Sequence, residues 1–323
     1  MSDYPTLAQI KDARKTLGSL IIETPAQQWR DPRLLERIGD NTEVFVKLEL
    51  FQLTGTFKLR GALNVMLNLE QKQLERGSHC RQCRQSCHCH RLCRKGPWDL
   101  GKSSHDQNAN PLRMQLAREL GAEIILADNP HDAFALVKKI KQEEGRTFIH
   151  PFEGPLTLQG TGTAGLEFAQ QVPELDAMIL PIGGGGLCGG FAAALKQIWP
   201  GIKIYGVEPE GASSMYQSFQ QGKPVTLDHI DTIADSLAPP KAEPYTFSVC
   251  RRFVDEIVLV DDDQLKAAMR NLFHELKLAV EPAGAATTAG LLGPLKEKIR
   301  GQRVGIIVCG ANIAIDDFNS LVS

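Results

Sequence analysis

No apolar run in the 323 residues approaches the roughly 18 that a bilayer-spanning helix needs, which argues against a helical membrane protein. The first residues, MSDYPTLAQIKDARK, lack the apolar core of a secretory signal and read instead as a capped amphipathic helix. An excess of one charge is missing too. The 36 Lys and Arg face 38 Asp and Glu, a net charge of −2, so nothing favours nucleic acid or an anionic membrane as a partner. Cysteine is scarce over most of the chain. Outside one short stretch only Cys188, Cys250 and Cys309 occur, widely spaced, which suits a reducing compartment and not a disulfide framework. There is no internal repeat. What remains, 42% hydrophobic and 23% charged, is the composition of a core-forming soluble enzyme, expected in the cytoplasm.

Apolar β-branched runs alternate with helical patterns along nearly the whole chain. EVFVKLEL (Glu43 to Leu50), TFIHPF, AMILPI, KIYGVEP, EIVLV and RVGIIV read as strands. LRGALNVMLNLEQKQLERG (Leu59 to Gly77), MQLARELG and DAFALVKKIKQEEG (Asp132 to Gly145) read as helices that stop at a glycine. Alternation at this spacing predicts an α/β chain, with parallel-type sheets covered by helices.

Three places carry chemistry. PIGGGGLCGGFAAALK sets Gly183, Gly184, Gly185 and Gly186 between an apolar strand and a small-residue helix. It is neither G-x-G-x-x-G with its acidic partner nor a P-loop, because no Lys-Ser/Thr follows. A tight turn would explain one or two glycines. Four in a row point to a backbone that approaches an anion at a helix start. FQLTGTFKLRGA places Lys58 at the entry to a helix. Alone it is a solvated first-turn lysine; beside a phosphate loop it is a candidate for Schiff-base chemistry with pyridoxal phosphate (PLP). Cys309, at the end of IIVCGANI, is either a buried structural thiol or a weak hydrogen-bond partner for a heterocycle nitrogen at the carboxyl end of the sheet.

TGTFKLRGA, GGGGL, YGVEP, ADSLA, VEPAGAA and CGAN, in this order, resemble the serine/threonine dehydratase and serine racemase family of fold-type-II PLP enzymes. The resemblance covers nearly the whole chain. It implies a two-domain fold, with a large PLP-binding domain from residues 1–50 and 150–323 and a smaller one from 51–149. It implies that Lys58 forms the Schiff base and moves the substrate α-proton, next to Phe57. The phosphate then falls to Gly183, Gly184, Gly185, Gly186 and Leu187, the ring nitrogen to Cys309, and a place near the ring to Glu281. A neutral partner for that nitrogen suits β-elimination. The expected reaction is loss of water from a β-hydroxy-α-amino acid such as L-serine, L-threonine, phenylserine or 3-hydroxyaspartate, giving a 2-oxo acid and ammonia. A racemase of the same family is the alternative. A small-molecule amino acid is the expected partner, with a homodimer allowed. Two departures stand out. Thr56 replaces the usual Ser, and the divalent-cation position of some members has Glu208 and Ala212 but Ser214 in place of an acid, so no metal is expected. A separate effector domain after the last strand is not expected, and with it no isoleucine-type feedback.

One interval breaks the resemblance. SHCRQCRQSCHCHRLCRK holds five of the eight cysteines and three of the eight histidines. It stands where the family carries a loop like S-x-G-N-H-A/G-Q-G. Zinc fits badly, because Cys80 and Cys83 have knuckle spacing but Cys87, Cys89 and Cys93 supply no second pair. The stretch also lacks strand or helix periodicity. A change of reading frame accounts for it. Ser78 to Cys87 can be encoded AGT CAT TGC CGC CAG TGC CGG CAA TCA TGC; one base later it translates as Val-Ile-Ala-Ala-Ser-Ala-Gly-Asn-His-Ala. Lys102 to Pro111 re-reads as Lys-Val-Val-Met-Thr-Lys-Met-Pro-Thr-Pro. Residues 78–112 therefore read as a compensated frameshift, whose cysteines carry no chemistry. If they are the real protein, an inactive one is expected.

Overall fold

In a computed structural model the described residues are 3–39, 41–81, 101–106, 115, 118–119, 123–127, 136, 139–140 and 142–323. They build two sheets. The larger has six strands in the order β1 (Ala26–Trp29), β2 (Glu43–Lys47), β10 (Arg303–Ile307), β7 (Ala177–Pro181), β8 (Lys203–Pro209), β9 (Glu256–Val260). All its pairings are parallel except that of β1 with β2, so the sheet is mixed only at one edge. Every residue of β7 is buried, as expected of a strand covered on both faces. The smaller sheet is wholly parallel, in the order β5 (Glu123–Ala127), β4 (Gly101–Asp106), β3 (Ser78–Arg81), β6 (Thr147–Ile149).

The helices around these sheets follow local chemistry. Helix α1 (Leu7–Leu17) starts where Thr6 and Gln9 form a reciprocal capping box, as the opening residues predict. The long helix expected over Leu59–Gly77 is two, α3 (Lys58–Leu67) and α4 (Gln71–Glu75), with α2 (Pro32–Ile38) before them. The break falls at Asn68, whose side-chain amide donates back to the Asn64 carbonyl at 2.8 Å and ends the turn. The strand expected over Glu43–Leu50 stops at Lys47 and passes into a 3₁₀ turn, Glu49–Phe51. Helix α5 (Pro155–Gln171) was hidden from periodicity. Its Thr, Gly and Ala residues are buried almost all round, so it shows no amphipathic stripe. Helices α6 (Gly186–Ile198), α7 (Ser214–Gln221), α8 (Pro244–Phe253), α9 (Asp262–Asn271), α10 (Pro282–Leu292) and α11 (Ile315–Val322) complete the order. Among the described residues no helix is long and apolar enough to cross a membrane.

Strands β3 and β4 lie inside the interval 78–112, which the sequence pattern left without structure. The rest of that interval lies outside the described residues, as do most of the helices expected from Met114 and from Asp132.

One crossing fixes the start of α3. A Cβ on Gly160 of α5 would stand 2.8 Å from the Gly61 Cα, so the two helix backbones touch. Under this crossing the Arg60 guanidinium is fully buried. It binds both oxygens of Glu49 at 2.8 Å and both oxygens of Glu167 at 2.9 and 2.6 Å. Lys47 and Arg14 also reach Glu167, at 3.2 and 2.8 Å. Helix α3 is thereby tied to β2, α1 and α5.

Candidate active site

The three sequence motifs meet because their strands are neighbours. Strands β2, β10 and β7 are adjacent and parallel, so the segments after them emerge at one edge, where α/β sheets bind ligands. Lys58 follows β2, Cys309 follows β10, and Gly183–Gly186 follow β7. The first two segments are stitched directly. The Phe57 amide donates to the Cys309 carbonyl at 3.2 Å, the Ala311 amide to the Gly55 carbonyl at 3.0 Å, and Thr56 bridges to Gly310. Lys58 opens α3, with its Nζ 4.9 Å from the centre of the Phe57 ring.

The glycine loop is a cup with packed walls. Gly185 sits in the left-handed region, φ 84°, and caps α6. A Cβ there would meet Thr246 Cγ2 at 2.8 Å, Met215 Cε at 2.9 Å and Cys250 Sγ at 3.0 Å. A Cβ on Gly184 would strike the Phe152 ring, one on Gly186 the Phe152 carbonyl at 2.6 Å, and one on Gly183 the Leu237 Cα at 2.9 Å. Leu187 is buried behind them. Packing therefore needs glycine at all four positions. The amides of the first turn of α6 are left to bind something else, since no carbonyl inside the helix can accept them. A cradle of bare backbone at the start of a 13-residue helix is the donor set a phosphate monoester requires. PLP fits this site, with an amine and a thiol presented from the neighbouring strands.

Cys309 is buried and its Sγ donates to the Ala283 carbonyl at 3.4 Å. Burial first, and then the Glu281 charge, push its thiol up to about 12, against the pull of Lys58. It is a neutral group at any physiological pH. Glu281 caps the approach to α10, abuts Gly310, and accepts a hydrogen bond from Ser236 Oγ at 3.1 Å. Ser236 lies in the ADSLA motif, whereas no motif marks Phe152, Met215 or Thr246. Only their distance in space marks these three, and no spacing along the chain announces it.

The cation position does not suit a divalent ion. Glu208 brings one carboxylate, and its two oxygens accept the Met215 and Tyr216 amides at 2.9 and 2.6 Å. Ser214 supplies a hydroxyl where the second acid would stand. Among the described residues no group of three or more His, Cys, Asp and Glu could hold a metal. Burial raises the Glu208 carboxyl from 4.5 to about 8, with the two amides pulling down only in part. The unfolded chain releases this proton far more readily than the folded one. Stability is therefore present at low pH and lost as pH rises from the ordinary carboxyl range through about 8. Thermal unfolding followed against pH should show that loss, on the order of a few kcal/mol, and Glu208→Gln should flatten it.

The fold and site together define an α/β PLP-dependent enzyme. Residues 104–310 match the family model described as pyridoxal-phosphate dependent enzyme, and the chain belongs to that family. The matched residues include Gly183–Gly186, Glu281 and Cys309; Lys58 lies before them. Over 312 residues the chain is 44% identical to phenylserine dehydratase of Ralstonia pickettii, covering 95% of this chain and 93% of that one. Over 319 residues it is 30% identical to L-threonine ammonia-lyase of Thermotoga maritima, covering 98% and 78%. Among solved structures, maize serine racemase superimposes with a TM-score of 0.89 at 31% identity, covering 98% of this chain and 96% of that one. The fold is the two-sheet fold of type II PLP enzymes.

Proposed function

We propose that this protein removes water from a β-hydroxy-α-amino acid and releases a 2-oxo acid and ammonia. The observation that carries it is the buried neutral thiol of Cys309 beside Lys58 and the glycine cup. PLP, when bound, supplies the electron sink that lets the α-carbon give up its proton. Lys58 holds the cofactor and takes that proton. The Gly183–Gly186 amides and the start of α6 bind the phosphate, with Leu187 behind them. Phe57 orders the approach to Lys58, and Cys309 would offer the ring nitrogen of a bound cofactor a neutral partner, which would favour departure of the β-hydroxyl. Glu281 orients the Cys309–Gly310 turn from the same side.

Similarity to phenylserine dehydratase and L-threonine ammonia-lyase supports phenylserine and L-threonine as the first substrates to try, followed by L-serine and 3-hydroxyaspartate. The test is release of 2-oxo acid from each by the PLP-loaded enzyme, with chiral analysis of the amino acid left over. Oxo acid from none of them would end the dehydratase reading. Equal amounts of the two enantiomers with no oxo acid would favour a racemase. The division into residues 1–50 and 150–323 against 51–149 is supported by sheet membership, since all strands of the larger sheet come from the first set. A cytoplasmic location and a homodimer complete the reading; light scattering tests the second.

We also infer that residues 78–112 are written out of frame. Strands β3 and β4 are the two interior strands of a wholly parallel sheet. Such strands are normally near-continuous apolar runs, as AMILP is in β7, an interior strand of the larger sheet. Ser-His-Cys-Arg and Gly-Lys-Ser-Ser-His-Asp are not. The shifted letters, Val-Ile-Ala-Ala and Lys-Val-Val-Met-Thr, suit interior strands. Resequencing the gene there should reveal a one-base gain and a compensating loss, and the intact mass of the protein should agree. A gene that reads through without them disposes of the idea.

A further inference from the structure

Behind the glycine cup stands a carboxylate that no sequence motif marks. Glu153 lies in the loop between β6 and α5, next to Phe152. Its Oε1 accepts the Tyr245 amide at 2.9 Å and its Oε2 the Thr246 amide at 3.0 Å. These are first-turn amides of α8, which have no acceptor inside the helix. The other two positions of that turn are settled. Pro244 has no N–H, and the Phe247 amide donates to the Glu243 carbonyl at 2.9 Å. Glu153 is thus the cap of α8, supplied from a distant loop.

The cap reaches the cup through two walls. The Thr246 hydroxyl, within reach of Glu153 Oε2, lies 3.1 Å from the Phe152 carbonyl. Its methyl would stand 2.8 Å from a Cβ on Gly185. One turn further along α8, Cys250 Sγ donates to the Gly185 carbonyl at 3.6 Å. The Phe152 ring covers Gly184, and its carbonyl faces Gly186. Glu153 therefore joins the wall under Gly185 to the wall over Gly184 and Gly186.

We propose that Glu153 is a positioning residue for the phosphate of PLP: it holds Phe152 and Thr246 so that the glycine cup keeps its shape before the cofactor arrives. This rests on the reading of Gly183–Gly186 as the phosphate site. A carboxylate at a helix start binds amides and opposes the helix dipole. Glutamine keeps the shape but replaces one acceptor by a donor, so one amide of α8 loses its partner. Thr246 is then free to withdraw from Gly185. The loss falls on preorganisation of the cup and hence on binding.

The test is reconstitution of the apo-enzyme, titrated separately with PLP and with pyridoxal, which lacks the phosphate. Glu153→Gln and Thr246→Val are expected to raise the PLP concentration for half-saturation roughly tenfold. Pyridoxal binding should stay unchanged, and turnover at saturating PLP should fall less than affinity does. Gly185→Ala serves as the reference. If it weakens PLP while Glu153→Gln binds as wild type, or tighter for want of a nearby negative charge, the positioning role is overturned. Equal weakening of PLP and pyridoxal, together with a lower unfolding midpoint of the apo-enzyme, also overturns it, because the residue would then serve the fold alone. If Gly185→Ala leaves PLP affinity untouched, the phosphate reading itself fails and this proposal with it.

Discussion

Lys58→Ala is expected to lower turnover by about 10,000-fold and to abolish the absorption band that the cofactor owes to its bond with the lysine. Lys58 is the first residue of α3, on the segment stitched to Cys309 and Gly310, and its amine lies 4.9 Å from the centre of the Phe57 ring. Removing it deletes the base for the α-proton and the covalent anchor together. The fold should survive, because α3 is held by Arg60 and the Gly61–Gly160 contact and not by Lys58. Circular dichroism and the unfolding midpoint should therefore stay close to wild type. Lys58→Arg makes the control for charge. Its guanidinium stays protonated, so it cannot accept a proton and should be as inactive as alanine. Turnover above a hundredth of wild type in either variant would remove Lys58 from the reaction.

The sequence was legible where chemistry demands rare residue types. Four consecutive glycines, a lysine after Gly-Thr-Phe and a cysteine ending a buried strand each restrict what the backbone can do, and the structure places all three on adjacent strands. Parallel strands were legible for a related reason. Burial on both faces makes them apolar throughout, as in β7, where every residue is buried. Helix α5 was not legible. Its buried surface is Gly, Thr and Ala, chosen for close approach to α3 and α6, and such a surface has no hydrophobic stripe.

Tertiary partners were invisible for a different reason. Phe152 and Glu153 look like loop residues, and Thr246 looks like an ordinary first-turn threonine. Their roles arise from contacts about ninety residues apart, between the β6–α5 loop and α8. The break between α3 and α4 belongs here as well. Asn68 has no propensity strong enough to end a helix, and its side-chain bond to Asn64 becomes decisive only with its backbone in place. Single residues carry little of this information. Pairs carry it.

Arg60→Met is expected to destabilise the protein by roughly 3–5 kcal/mol, the largest stability effect foreseen for a single change. Arg60, Glu49, Glu167 and Lys47 are buried together, with Arg14 reaching in from α1. Three cations share two carboxylates. The Lys47 ammonium is held below its ordinary range by burial, although Glu49 and Glu167 oppose this. At Glu49 burial pushes the carboxyl up, but the charge and hydrogen bonds of Arg60, with the Lys47 charge and the Thr24 hydroxyl, together outweigh it and hold the carboxyl low. Removing Arg60 leaves Glu49 with the Thr24 hydroxyl at 2.5 Å as its hydrogen-bond donor, a buried charge without its ion-pair partner. Glu167 fares better, since Lys47 and Arg14 still reach it. The double variant Arg60→Met, Glu49→Leu should consequently be more stable than Arg60→Met alone, because the orphaned carboxylate is gone. Urea unfolding of the wild type, the two single variants and the double variant measures this coupling. Since α3 carries Lys58, weaker cofactor binding should accompany the single change. An Arg60→Met protein within 1 kcal/mol of wild type, or a double variant whose losses simply add, would mean that the network holds α3 by packing and not by charge.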